Sequence, residues 1–388
     1  MGENIVYILS LIAITLLFRK LRNEQLFNNS YLLPLYICLS ILIFLLGKFN
    51  SICSLILPIG YSVVMFSGIS LMIDEKKSNH SYTILETLAY LLFFPKILAG
   101  PIERMEDFNK QLKATDKFLI KNDIYVGIKI IVFGAFLKYV VTDTIFPYAN
   151  IDYKGINQFL SIILYALLFY LDFWAYSLLA VGFAKLYGIN ITLNFDNPYS
   201  AISFKDFWNR WNISLTNWLK DYVFIPLQKK ARTSRSINVF IVFIISALWH
   251  GFNFPFLLWG ISHAALNIIE KNRVISRLKT IRLYNVFVIL ICSMLWQTFR
   301  FDNITDVVNV YLRIFTPENI NVTILVILSI TILLVFVFER RNFKYYIMEI
   351  EGFRKKHIIT EVSIITIMIL ALLFVNTNLN SPFHYFKY

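Results

Sequence analysis

Two polar residues set in strongly apolar sequence carry the chemistry available to this chain. His250 stands in Ala247-Leu248-Trp249-His250-Gly251-Phe252, and Asn212 in Phe207-Trp208-Asn209-Arg210-Trp211-Asn212-Ile213-Ser214-Leu215. An imidazole is costly to hold in hydrocarbon, so an ionisable residue there points to function by default. Its proton also moves readily near neutral pH, which makes His250 a candidate base at a reactive centre. Asn212 has no useful basicity, but its amide can donate to a carbonyl or orient an imidazole. The bland alternatives are that His250 satisfies a buried carbonyl and that Asn212 hydrogen-bonds between helices.

The elements that must position these residues belong in a membrane. The chain has 388 residues, of which 57% are hydrophobic and 17% aromatic. Apolar runs recur near residues 5–18, 31–47, 52–73, 84–98, 124–146, 158–182, 237–248, 254–269, 283–299, 321–338 and 358–375. Backbone groups in lipid are satisfied only by helices or closed barrels, and runs of this length fit helices. The N-terminus lacks the basic region and cleavage site of a secretory signal, so the first helix is expected to remain as an anchor. The net charge of +13 is spread over short loops, with no separate basic domain or tail. It therefore reads as membrane topology and attraction to anionic lipid, and nucleic acid is not an expected partner.

Charge bias orders the loops. Arg19, Lys20 and Arg22 follow the first run, and Arg104, Lys110, Lys113, Lys117 and Lys121 fill the loop at 99–123. Lys229, Lys230, Arg232 and Arg235 precede the histidine region, while Lys271, Arg273, Arg277, Lys279 and Arg282 follow it. Arg340, Arg341, Lys344, Arg354, Lys355 and Lys356 occupy the last large loop. Assigning all of these to the cytoplasm puts the N-terminus outside, with loops 48–51, 147–157, 300–320 and the tail 376–388 facing outward. Segment 84–98, which contains Pro95, then reads as re-entrant, and 237–269 as two short passes with His250 at the apex. The stretch 187–236 is broken by polar residues and prolines and reads as the wall of a cytoplasm-facing funnel.

The remaining candidates are weaker. Cys38, Cys53 and Cys292 lie scattered in apolar segments and read as packing residues. His80, His357 and His384 fall in predicted loops or the tail. No Ser-His-Asp order, phosphate-binding glycine loop or metal-ligand cluster is present, and no metal is expected.

The run through Asn212 continues as Trp218-Leu219-Lys220-Asp221-Tyr222-Val223-Phe224-Ile225-Pro226-Leu227. Upstream stand Phe93-Phe94-Pro95 with Ala99-Gly100-Pro101-Ile102, then Asp172-Phe173, Tyr176-Ser177, Ala180-Val181-Gly182 and Asn194-Phe195. Downstream come Trp249-His250-Gly251, Trp259-Gly260 and His263. Together these blocks, over roughly residues 55–300, resemble the membrane-bound O-acyltransferase (MBOAT) family in its alginate O-acetylation and teichoic-acid D-alanylation branches. Those branches usually carry a second histidine where this chain has Asn212, which excludes a two-histidine mechanism at this position.

The resemblance implies an all-α, polytopic transmembrane helical bundle around a central acyl-transfer tunnel. About nine to eleven membrane segments, some re-entrant, would form a single domain over 1–388. It implies a multi-pass protein of a bacterial cytoplasmic membrane that transfers an acyl group, acetyl in the preferred reading, towards a cell-surface polysaccharide. The expected donor is acetyl-CoA or an acyl carrier protein, with no resident cofactor. Membrane lipids and a membrane-anchored or extracellular acyltransferase partner complete the expected set. Neutral His250 would be the base and Asn212 its companion. Trp208, Trp211, Trp218 and Trp249 could line the tunnel or anchor at the interface. Arg210 and Lys220 with Asp221 could bind donor phosphates or pair with each other. His263 reads as a packing or supporting histidine. D-alanyl transfer from a carrier protein to teichoic acid is the second reading, and a transporter or channel without covalent chemistry is the rival from another class.

Overall fold

A computed structural model describes residues 2–24, 29–54, 60–78, 81–97, 100–114, 121–230, 233–272, 282–340 and 358–375. His80, His357, His384 and Ala99 lie outside these residues, as do Lys117, Arg232, Arg273, Arg277, Lys279, Arg341, Lys344, Arg354, Lys355 and Lys356. The fold is all-α: among the described residues there is no strand, only an isolated antiparallel bridge between Phe195 and Trp211. The chain divides into two compact units, Met1–Ile128 with Leu179–Leu193, and Lys129–Leu178 with Asn194–Tyr388.

The first unit opens with α1 (Gly2–Asn23), α2 (Asn29–Ser54) and α3 (Tyr61–Ser78). Arg19 and Arg22 of α1 both reach the buried carboxylate of Glu75 on α3 at 2.7 Å, and Arg19 also donates to Thr87. A charge among apolar helices is tolerable when it is paired and hydrogen-bonded in this way. The outward loop expected at 48–51 is absent, because α2 runs through Lys48 and Asn50 to Ser54. Nothing in that short polar stretch breaks a helix, and Gly60, just before α3, has φ +89°.

Next come α4 (Ile84–Leu91), α5 (Phe94–Ile97) and α6 (Met105–Ala114). Thr83 and Glu86 start α4 with a reciprocal capping box. Eight residues of α4 rise only about 12 Å, far less than the roughly 30 Å hydrocarbon core, so 84–97 makes no full crossing.

Further along lie α7 (Lys121–Ala135), a π-helical segment Phe136–Thr142, α8 (Asp143–Ala149) and α9 (Gly155–Leu186). By length and composition, Tyr31–Lys48, Asp123–Ala149 and Gly155–Leu186 are able to cross a membrane. Within the second unit, Lys138 of the π segment is buried between Asp143 at 2.8 Å and Asp172 of α9 at 3.2 Å.

The second unit continues with α10 (Phe204–Arg210), α11 (Ile213–Leu219), a π-helical segment Lys220–Phe224, and α12 (Ile225–Lys230). A hairpin of α13 (Arg235–His250) and α14 (Phe254–Ile269) follows. The rest is α15 (Arg282–Leu295) running into a 3-10 turn at Trp296–Phe299, then α16 (Ile304–Leu312), α17 (Val322–Phe338) and α18 (Ile358–Phe374). Ser234 and Asn253 cap the two hairpin helices with side chains that accept from Ile237 N and Phe256 N. Gly260 lets the helices close, since an added Cβ would meet the Ala247 Cβ and the Phe243 carbonyl at 2.8 Å. Each arm has 16 residues and rises about 24 Å, so 237–269 forms a hairpin of two short apolar helices with His250 at its tip.

Candidate active site

Asn212 takes its place through backbone geometry. It sits at the N-cap of α11 with φ 44° and ψ 55°, in the left-handed region that asparagine tolerates better than most side chains. A loop clamps it from the side. Asp196 N donates to Arg210 O at 3.0 Å, Ile213 N to Asn194 O at 3.0 Å, and Ser214 N to the Asn194 side chain at 3.3 Å. Trp211 then stacks on Phe207 and Phe169 at interplanar angles of 16° and 11°. The Asn212 amide makes no side-chain hydrogen bond to a described residue, and the residue is nearly buried.

His250 ends α13 within an aromatic shell. Phe299 meets its ring edge-on at 4.7 Å, Trp259 at 5.4 Å, and Phe256 lies nearly parallel at 5.9 Å. Gly251 makes room for that contact, because a Cβ there would fall 2.5 Å from the Phe256 ring.

Asn212 and His250 line the same cavity, of about 670 Å³. Trp208, Trp211 and Lys220 of the predicted residues line it too, whereas Arg210, Trp249, Asp221 and His263 do not. Arg210 pairs with Asp206 one turn back at 2.9 Å and donates to the Asp196 carbonyl. Its described partners are therefore Asp206 and the Asp196 carbonyl, not Lys220 or Asp221. Trp249 packs on the His250 ring at 4.3 Å from outside the cavity. Trp218 lies against Tyr222. His263 is fully buried and accepts from Trp208 Nε1 at 3.3 Å, so it supports a wall residue.

Several lining residues escaped the sequence argument. Trp259, Trp296 and Phe299 close the apolar wall, and the indole N–H groups of Trp259 and Trp296 are buried without an acceptor among the described residues. Lys205, Arg235 and Lys271 also line the cavity. The Lys271 ammonium is held below the ordinary lysine range by burial and by repulsion from Arg235 and Lys205. All three were visible as charges beside apolar runs, but nothing local indicated that they converge. Among the described residues no group of three or more His, Cys, Asp or Glu side chains could hold a metal ion.

A family model described as MBOAT, membrane-bound O-acyltransferase family, matches residues 3–273. A "Probable alginate O-acetylase AlgI" of Pseudomonas putida is 32% identical over 229 residues, covering 56% of this chain and 46% of that protein. A "Peptidoglycan O-acetyltransferase" of Helicobacter pylori is 31% identical over 46% of this chain and 36% of its own length. A "Teichoic acid D-alanyltransferase" of Bacillus subtilis is 32% identical over 56% of this chain and 61% of its own. The chain thus spans about half the length of the curated relatives it matches.

Proposed function

Because the chain belongs to the membrane-bound O-acyltransferase family, we propose that it transfers an acetyl group towards a cell-surface polysaccharide, with His250 as the base. The observation that carries this reading is the meeting of His250 and Asn212 on one cavity, the imidazole in an aromatic shell and the amide without a hydrogen-bond partner among the described residues. In the proposed step the neutral imidazole takes the proton of an acceptor hydroxyl as its oxygen attacks the thioester carbonyl. The Asn212 amide donates to the oxyanion that forms. The tetrahedral intermediate collapses with cleavage of the C–S bond, and the thiolate leaves with the proton from His250. The ester stays on the acceptor and a free thiol returns on the donor.

The donor in this reading is acetyl-CoA or an acetylated carrier protein, supplied from the cytoplasmic side that the basic loops define, with the N-terminus outside. A membrane-anchored or extracellular acyltransferase completes delivery to the polymer. The test is polymer-bound ester content in cells carrying wild-type or His250→Ala protein, resolved by mass into acetyl and D-alanyl. Loss of acetyl supports the reading, and unchanged ester content sinks it. Loss of D-alanyl moves the protein to the second reading, D-alanyl transfer to teichoic acid, which the Bacillus relative favours. A transporter would pass labelled donor unchanged and form no acylated product.

A further inference from the structure

Lys138 and Asp143 form an ion pair at 2.8 Å although they stand five positions apart on one helix. At 3.6 residues per turn, positions i and i+5 of an α-helix point about 140° apart and do not face one another. In a π turn they stack, because its bonds run from i+5 back to i. The Asp143 N–H donates to the Lys138 carbonyl and closes such a turn. The same carbonyl accepts from the Thr142 hydroxyl at 2.6 Å. Lys138 also meets Asp172 of α9 at 3.2 Å, so the turn brings Asp143 to an ammonium already held on the α9 side.

A π turn holds one residue more than the α turn it replaces, so every residue after it is set back by one position, about 100° of helix rotation. α8 starts at Asp143 and inherits that setting. It buries Ile145 and Ala149, and the Ala149 carbonyl accepts from Ser161 of α9 at 3.3 Å. The chain then runs through Asp152, whose carboxylate meets Arg313 at 2.6 Å and Arg300 at 3.8 Å. Arg300 follows directly on Phe299, the ring that meets His250 edge-on. Turning α8 by about 100° would carry its Cα atoms roughly 3–4 Å around the axis, at a radius of about 2.3 Å.

We propose that the Lys138–Asp143 pair holds residues 136–142 in the π register and so sets where Asp152 stands against Arg300 and Arg313. Loss of the pair lets the segment relax to an α turn, which rotates α8. The second unit then contains a two-state element inside an apolar helix, with one state selected by a charge pair. π turns within α-helices recur at functional sites, and charged residues inside membrane helices point to function by default. Charge balance at Lys138 does not by itself account for the arrangement, since Asp172 already supplies an opposite charge there. None of this depends on the acyl-transfer reading, and the test below measures no ester.

The test measures the distance between spin labels at Ile151→Cys and Thr305→Cys by double electron–electron resonance. It uses the full chain in phosphatidylcholine nanodiscs, with the native cysteines replaced by alanine. Both labelled positions are exposed, one in the loop after α8 and the other on α16. Asp143→Leu removes the pair and leaves Lys138 beside Asp172, and thermal unfolding checks that the variant is folded. The label distance is expected to shift by about 3 Å or more. Deleting Tyr139 in the same protein takes the extra residue out of the turn, so the wild-type distance is expected to return. Deleting Tyr139 alone should also keep the wild-type distance. Lys138 and Asp143 then stand four positions apart, the spacing at which an α-helix pairs opposite charges. A wild-type distance in folded Asp143→Leu overturns the proposal. So does a shift that the deletion fails to reverse, since the cause would then be lost packing. Where Asp143→Leu does not fold, the deletion alone decides: an unchanged distance upholds the register role, and a shifted one overturns it.

Discussion

Trp208 donates its indole N–H to Nδ1 of His263 across 3.3 Å, and the two rings meet edge to face at 4.9 Å. Accepting at Nδ1 identifies His263 as a neutral imidazole with its proton on Nε2. That Nε2 is buried and has no acceptor among the described residues. His263 therefore acts through Trp208, whose other contacts are with the cavity wall at Trp259, Phe243 and Trp296. The two histidines of the hairpin lie in separate places, one at the cavity and one behind its wall.

His263→Phe should leave the Trp208 N–H buried without a partner, at a cost of about 1–3 kcal/mol. Thermal unfolding of the detergent-purified protein would read this as a lower midpoint. Ester formation should fall less than in His250→Ala, and an equal fall in a variant of normal stability would instead give His263 a direct chemical role.

The left-handed backbone at Asn212 separates its conformational role from its amide role. Asn212→Asp preserves shape and tolerance for that conformation but loses the donor, so ester formation should drop by about 10²–10³ with little change in unfolding midpoint. Asn212→Val should cost about 1–3 kcal/mol through backbone strain. Full activity in Asn212→Asp would contradict the amide's assignment to the oxyanion.

Gly251→Ala places a methyl group where the Phe256 ring now lies, 2.5 Å away. Overpacking of this kind costs about 1–3 kcal/mol. The displaced ring is the one lying nearly parallel to His250, so transfer should weaken along with stability. A variant with wild-type rate and midpoint would show that the shell yields more easily than its geometry implies.

Lys138 holds two carboxylates in the interior of the second unit, Asp143 and Asp172. Lys138→Met should destabilise by about 3–5 kcal/mol, because Asp172 is left buried beside an apolar group. The double variant Lys138→Met, Asp172→Leu should recover much of that loss. Failure of the second substitution to recover stability would assign the cost to lost packing.

Glu318 supplies a pH-dependent element outside the membrane segments. Its carboxylate accepts from Asn157 Nδ2 at 2.9 Å and from Lys154 N at 3.0 Å, and these bonds hold its pKa below the ordinary glutamate value. A depressed carboxylate stabilises the fold above its unfolded pKa, and that contribution disappears as the pH falls through the folded value. Wild type should therefore lose more stability than Glu318→Gln between about pH 7 and about pH 3. Parallel losses in the two proteins would discount the interaction.

Much of the architecture was legible because hydropathy and helix length are local properties. The short α4 and α5, the helical hairpin over 237–269 and the place of His250 at its tip follow from run lengths and flanking charges. The loop expected at 48–51 failed for a related reason. A brief polar stretch without a breaker does not end a helix, and α2 runs on to Ser54. The region 187–236 was legible only as irregular, because its helices of three to seven residues are too short to show a period.

By itself the sequence determined the all-α membrane class, the ordered family blocks and the presence of a histidine in apolar surroundings, since each depends on composition or neighbouring residues. Only the tertiary structure decided which side chains share the cavity. Arg210 turns to Asp206, His263 stands behind Trp208, and Lys205, Arg235 and Lys271 converge from three separate segments. Side-chain direction and contact between distant segments arise from packing, which no local spacing along the chain encodes.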